Sequence, residues 1–337
     1  MELYSGIDLH SNNHYLSIID ENDSRIFQKR LKNDLHNTLE VLEPFKQQLV
    51  GIAVESTFNW YWLVDGLMDA GYKMHLVNTS AVKQYEGLKH TDDKHDAFWL
   101  SHLLRLGILP TGYIYPKEQR PIRDLLRKRL QLVGQRTTHV LSVQNQYWRN
   151  TGVRLKSEDI KRIEDDLLSS VDDSNLFMAM NSNLLVINIL NQQIETIEKA
   201  VQCQCKLAPE YKLLKTVYGV GVILALTIML ETGEIGRFPS VGDFASYSRC
   251  VDSRKTSNGK KKGEGNSKCG NKYLAWAFVE AAHFATRYYD PARRFFQRKQ
   301  SQRNAIVAIK ALAHKLARAS YYVMRDQVPF KPEMLFH

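Results

Sequence analysis

The chain opens on patterns of period two and closes on patterns of helical period. Leu3 to Ile7 runs into Asp8, and His14-Tyr15-Leu16-Ser17-Ile18-Ile19 alternates like a half-buried strand. Arg25 to Leu31 predicts the third strand of a meander. Leu35, Leu39, Leu42 and Phe45 then recur at helical spacing. Leu49-Val50-Gly51-Ile52-Ala53-Val54 is a continuous apolar run, as a central buried strand requires, and it stops at Glu55. A helix over Trp60–Ala70, a short strand Met74–Val77 and a helix over Asp93–Arg105 complete an α/β section, residues 1–115.

Beyond it the pattern is helical. Leu125, Leu126, Leu130, Leu132, Val133 and Val140 mark one long helix over Ile122–Tyr147. Leu184, Ile187, Leu190, Ile194 and Ile197 mark a second over Phe177–Cys203, with a charged connection, Lys156–Asp173, between them. Two such helices predict an antiparallel coiled-coil arm or dimerisation arm, residues 116–206. In the remaining section, residues 207–337, Tyr273–Tyr289 and Ile306–Val323 also read as helices. Val217-Tyr218-Gly219-Val220-Gly221 before an apolar run has two readings. It is a helix-hairpin-helix, in which Gly219 and Gly221 let backbone amides meet a phosphate, or a glycine-softened core helix.

Composition narrows the partners. The 337 residues are 44% hydrophobic and 24% charged, as in soluble globular proteins, and the net charge of +10 points to an anionic partner, nucleic acid first. The four cysteines fit no zinc spacing, which favours reduced thiols in a cytoplasmic protein. No signal peptide or membrane-spanning run is expected, because Val217–Leu230 is too short and carries glycines. The charge peaks in Ser253–Lys272, with seven basic residues against the single acid Glu264 and no large apolar side chain. Lys260, Lys261, Lys262 and Lys268 among small residues suit a phosphate backbone. Ser257 adds a hydroxyl beside Asn258-Gly259, a pair that favours a tight exposed turn.

Four acids supply candidate chemistry. Asp8 and Glu55 each stand where a predicted strand ends, and Asp93 and Asp96 are three apart on a predicted helix, on one face. Carboxylates converging in this way bind Mg²⁺ and clamp a scissile phosphate. Asp92 is an alternative to Asp93, since helical phase does not choose between them. Singly, each acid reads as a cap or a solvated residue; the set, in this order, is the ribonuclease-H-like arrangement.

GIDLHSNNHY at Asp8, AVEST at Glu55, TDDKHDAFWLSHLLR at Asp93 and Asp96, TVYGVGVILALTIMLE and SNGKKKGEGNSKCGNKYLAWAFVEAA together resemble the insertion-sequence-110 family of DEDD transposases, recombinases that work with a bridge RNA. The resemblance implies an RuvC-like N-terminal domain, a coiled-coil arm and a C-terminal transposase domain with a nucleophilic serine. It further implies Mg²⁺ at the four acids and a dimer or tetramer in which the acids of one protomer meet the serine of another. The partners so implied are donor DNA, target DNA and a structured guide RNA. Ser257 matches the serine by its spacing to Ser267-Lys268. Thr256 and Ser253 are alternatives, because Cys250 stands where the family usually has glycine and the following segment is one residue short.

Two rival readings use the same residues. A hydrolytic nuclease or junction resolvase would cut with the acids alone, and a non-catalytic nucleic-acid scaffold would use the acids as caps. Arg123, Arg127, Lys128, Arg129 and Arg136 on the first long helix, and Arg287, Arg293, Arg294, Arg298, Lys299 and Arg303 around Phe295 and Phe296, are expected to contact nucleic acid, partly by stacking on bases.

Overall fold

The computed structural model describes residues 1–79, 81–82, 92–162, 168, 171–251, 255–263 and 269–336, with backbone alone at 255–257, 261 and 263. The chain divides into two compact units, Met1–Lys117 and Glu118–His337.

The first unit is a five-stranded mixed sheet with helices on both faces. Strands β1 (Leu3–Leu9), β2 (Asn13–Asp20) and β3 (Arg25–Lys32) form an antiparallel meander. After helix α1 (Leu35–Leu42), strand β4 (Leu49–Glu55) lies parallel to β1. Helix α2 (Tyr61–Asp69) then leads to β5 (Met74–Val77), parallel to β4, so the order is β3-β2-β1-β4-β5. Alternation along β1 separates two chemistries. Ile7 and Leu9 join Ile52, Val54, Leu42, Leu63 and Leu67 in the core under α1 and α2. Gly6 faces the other way, against helix α3 (Asp93–Arg105). A Cβ on Gly6 would run into the Ala97 carbonyl oxygen, so the absent side chain is what lets α3 lie on the sheet.

Among its described residues the second unit is helical apart from one hairpin. Helices α4 (Arg120–Thr151) and α6 (Ser174–Cys205) run antiparallel, with α5 (Ser157–Arg162) in the connection. Their pairing follows a seven-residue step: Arg129 pairs with Glu198 (2.6 Å) and Arg136 donates to Asn191 (2.8 Å). A further step leads to the apolar cluster of Val140, Val143, Met180, Leu184 and Ile187. Helix α7 (Pro209–Leu214) precedes α8 (Val222–Thr232), which is buried on nearly every side. Helix α9 (Val241–Tyr247) is followed by the hairpin β6 (Lys255–Ser257) and β7 (Lys260–Gly263). Helices α10 (Lys272–Tyr288), α11 (Asp290–Gln302) and α12 (Ala305–Asp326) complete the core. Among the described residues no helix is long and apolar enough to cross a membrane.

The arginine expectation needs correction. Arg123 is buried, and Arg127, Arg129 and Arg136 are turned to partners within the unit. Phe295 is buried and Phe296 packs against the same core, because α11 turns that side inward, so neither offers a ring face to a base. Lys128 remains exposed, as do Arg287, Arg293, Arg294, Arg298 and Arg303.

Candidate metal centre and serine hairpin

The acidic centre follows from strand register. Ile7 pairs with Val54 across parallel β1 and β4, so the next residues, Asp8 and Glu55, fall side by side at the strand ends. Both point to the α3 face, where Gly6 and Ala53 keep the sheet thin. Helix α3 presents Asp93 and Asp96 in its first turn. Asp92 spends its carboxylate on the helix cap, accepting from the His95 N–H at 2.8 Å. Asp93 is left facing the centre, with its Oδ1 3.3 Å from His10 Nε2.

Asp8, Glu55 and Asp96 line one pocket of ≈ 320 Å³ together with Val77, Thr79, Val82, Trp99 and Leu100. Asp8 is 3% exposed. Its pKa is pushed up to about 7, first by burial and then by its hydrogen bond with the Glu55 carboxyl. The charges of Glu55 and Asp96 add to the shift and His10 opposes it. Carboxylates crowded against a buried acid that holds its proton this tightly make a site where a cation is favoured.

Sequence reading missed His10 and Trp99. His10 stands two residues after Asp8, on the same side of the strand, and that i, i+2 relation was the available signal. Asp8, His10 and Asp93 bring one ligand atom each within 4.8 Å of one another. Trp99 lies one turn after Asp96 on α3, stacked between His95 and His102 at centroid distances of 6.4 and 5.3 Å.

In the second unit the Asn258-Gly259 turn closes a two-residue hairpin, with φ of 52° and 71° at its centre. Both angles are left-handed, as a type I′ turn demands. The backbone of Ser257 pairs with that of Lys260 beside this turn, and Thr256 pairs with Lys261. Lys260 and Lys262 are exposed. The side chains of Ser257, Thr256 and Lys261, and all of Ser253, Ser267 and Lys268, lie outside the described residues.

The segment that carries the hairpin leaves and rejoins the fold at the end of α9. Cys250 N–H donates to Ala245 O (3.0 Å), Asn271 N–H donates to Tyr247 O (2.6 Å), and Arg249 Nη2 donates to Gly270 O (2.8 Å). Burial pushes the Cys250 thiol up to about 12, so no thiolate forms there near neutral pH. The two glycines before α8 differ. Gly219 has φ +87° and faces the Ala281 carbonyl of α10, so both its backbone conformation and its packing demand glycine. Gly221 caps α8 with open space where a side chain would stand.

Residues 5–146 match the transposase model DEDD_Tnp_IS110, and residues 211–297 match the Transposase IS116/IS110/IS902 family. Over 184 residues the chain is 23% identical to an uncharacterized 43.6 kDa protein of insertion element IS110 from Streptomyces coelicolor, covering 52% of this chain and 45% of that one. Over 222 residues it is 24% identical to the candidate transposase y4qE of Sinorhizobium fredii, covering 66% of this chain and 55% of that one. The chain thus spans about half the length of these relatives. Two models matched in order, one over the sheet unit and its acids and one over the serine hairpin and its flanking helices, place the chain in the IS110 family of transposases.

Proposed function

We propose that the protein is a DNA recombinase that cuts and rejoins strands by phosphoryl transfer, with Asp8, Glu55, Asp93 and Asp96 as the ligands of a divalent cation, Mg²⁺ first, and Ser257 as the nucleophile. The observation that carries this reading is the meeting of Asp8, Glu55 and Asp96 in one pocket, with Asp93 joined to Asp8 through His10. The donor set fits a hard cation, being rich in carboxylate oxygen and including an acid whose pKa burial and the neighbouring Glu55 carboxyl raise to about 7. When bound, such a cation polarises the phosphate and offsets the charge that develops on it. The strand order with β1 and β4 central and parallel supports a ribonuclease-H-like description of the unit.

The chain's own residues supply the rest. Exposed Lys260 and Lys262 hold DNA phosphates beside the turn, and the first-turn amides of α8 after Gly221 offer a further phosphate contact, the helix-hairpin-helix role. The Ser257 Oγ–phosphorus bond forms as the phosphorus–oxygen bond to the leaving strand breaks, and the serine proton leaves with that strand's hydroxyl. The phosphoserine keeps the bond energy, so attack by the hydroxyl of a second strand rejoins the DNA without hydrolysis. The seven-residue stepping of α4 against α6 supports a coiled-coil arm, to which the reading assigns the contact between protomers. Exposed arginines on α11 and the charge of +10 support an RNA guide that reads sequence by base pairing.

The test is a denaturing assay for a protein–DNA adduct. An adduct that needs Mg²⁺, is lost in Ser257→Ala and survives in Thr256→Val and Ser253→Ala is the expected result. Metal-dependent cutting with no adduct would assign a hydrolytic nuclease, and binding without cutting a scaffold. Recombination at full specificity by RNA-free protein would remove the guide.

A further inference from the structure

We propose that His10 is a fifth ligand of the acidic centre, which gives the site a nitrogen donor and makes it prefer Mn²⁺ to Mg²⁺. The inference rests on the reading that the four acids hold a divalent cation, and adds to it which ion they hold best.

His10 Nε2 lies 3.1 Å from Asp8 Oδ2 and 3.3 Å from Asp93 Oδ1. Neighbouring ligands at right angles about an ion, with bonds of about 2.1 Å, stand about 3 Å apart. Both separations have that size. Nε2 is shielded from solvent yet makes no hydrogen bond, even with two carboxylate oxygens so near. A hydrogen-bonded pair aims its N–H along the line to the oxygen, whereas ligands of one ion aim at a common point between them. Nε2 thus faces two carboxylate oxygens without a hydrogen bond to either, and an ion shared by all three atoms would satisfy them together.

The backbone of His10 is held from several elements. Its carbonyl accepts from Asn33 Nδ2 (2.9 Å), after β3, and from Asn59 Nδ2 (3.0 Å), after β4. Its N–H donates to Asn13 O (2.9 Å). Two side-chain amides on one carbonyl fix where the imidazole starts, as supporting residues of metal ligands do. Imidazole binds first-row transition ions far better than it binds Mg²⁺, so a mixed set of carboxylates and one imidazole shifts the choice toward Mn²⁺.

The experiment uses the full chain loaded with Mn²⁺ alone or Mg²⁺ alone. Titration calorimetry gives both affinities, and pulsed electron paramagnetic resonance on the Mn²⁺ form, with ¹⁵N-histidine label, reads nitrogen coordination directly. The wild type is expected to bind Mn²⁺ more tightly and to show histidine nitrogen on the ion. His10→Ala should lose that signal and weaken Mn²⁺ by at least about tenfold while changing Mg²⁺ much less. His10→Gln, which keeps the bulk and offers an oxygen, should lose the signal and retain Mg²⁺. Asp8→Asn separates the two levels. If it leaves both ions bound as before, the acidic-centre reading itself fails. If it abolishes binding while the wild type shows no nitrogen signal and His10→Ala keeps its Mn²⁺ affinity, the His10 inference alone is overturned and the contact is a plain ion pair.

Discussion

Arg127 on α4 holds Glu231 on α8 at two points, Nε to Oε1 at 2.6 Å and Nη2 to Oε2 at 2.7 Å. Glu231 is 3% exposed and also accepts from Asn271 Nδ2 at 2.7 Å, while Asn271 Oδ1 caps α10. Burial works against the Arg127 charge, yet the Glu231 carboxylate carries its pKa above the ordinary value. One carboxylate thus ties the arm, the central helix and the start of the helix that follows the serine hairpin.

Removing one partner leaves the others buried without a counter-charge. Glu231→Ala is expected to cost the second unit about 3 kcal/mol, and Arg127→Ala a similar amount. Because they share a bond, the double variant should cost much less than the total of the two, read from urea denaturation of the full chain. Simple additivity would show that the pair is not coupled.

Three glycines make a graded set. Gly6→Ala drives a methyl group into the Ala97 carbonyl, so α3 must lift from β1, and stability should fall by about 2 kcal/mol or more together with divalent-ion binding. Gly219→Ala meets the Ala281 carbonyl from a left-handed backbone and should be similarly destabilising with no direct effect on the ion. Gly221→Ala meets nothing, so its melting temperature should hold while DNA affinity drops if the open amides at α8 touch phosphate. Unchanged DNA affinity would leave that helix end as packing only.

Stability of the metal-free protein should depend on Asp8. Its folded pKa, about 7, is above the unfolded carboxylate value, so the folded state holds the proton more tightly. The associated stability is complete below the unfolded pKa and is lost as pH rises toward and through 7. In chelator, Asp8 is expected to contribute up to about 4 kcal/mol more stability at pH 4 than at pH 8, a part that the comparison with Asp8→Asn isolates. Asp8→Asn should flatten that slope, and Mg²⁺ or Mn²⁺ at pH 8 should stabilise the wild type but not the variant. An equal slope in both proteins would assign the dependence to other groups.

The arm carries a polar layer where apolar packing would be stronger. Burial lowers the Arg136 pKa and the nearby Arg129 charge lowers it further, so the Arg136–Asn191 layer is an unfavourable place for a cation. Replacing both residues with leucine should raise stability by ~1–4 kcal/mol. It should also loosen the pairing of α4 with α6, visible as mixed cross-linking products from cysteines placed along the two helices. A less stable double variant would mean that the layer stabilises the arm.

The first unit was legible almost to the residue, because each strand has alternation or an apolar run and two of its helices, α1 and α3, have an aspartate cap. Asp34 and Asp92 mark two starts that the structure keeps. The register that sets Asp8 beside Glu55 was not legible, since it depends on pairing across more than forty residues of chain. The long helices were visible from Leu and Ile spacing, but the orientation of their arginines was not. Arg127 and Arg129 read as solvent-facing until Glu231 and Glu198 stand opposite them, and nothing local reports a partner that distant. Helix α11 was missed because Arg293, Arg294, Arg298 and Lys299 mask the inward side that Ala292 and Phe295 make. His10 was passed over since a lone histidine after a strand carries no signal until Asp93 approaches it from another element.

The seven-residue step between α4 and α6 limits how the arm can change length. One residue inserted in either helix would carry Arg129 off Glu198 and turn Val143 and Leu184 out of their cluster. Seven added to both helices restore every facing pair and extend the arm by about 10 Å. The reach of this arm is therefore stepped, and related chains should differ in it by whole heptads, present in both helices or in neither.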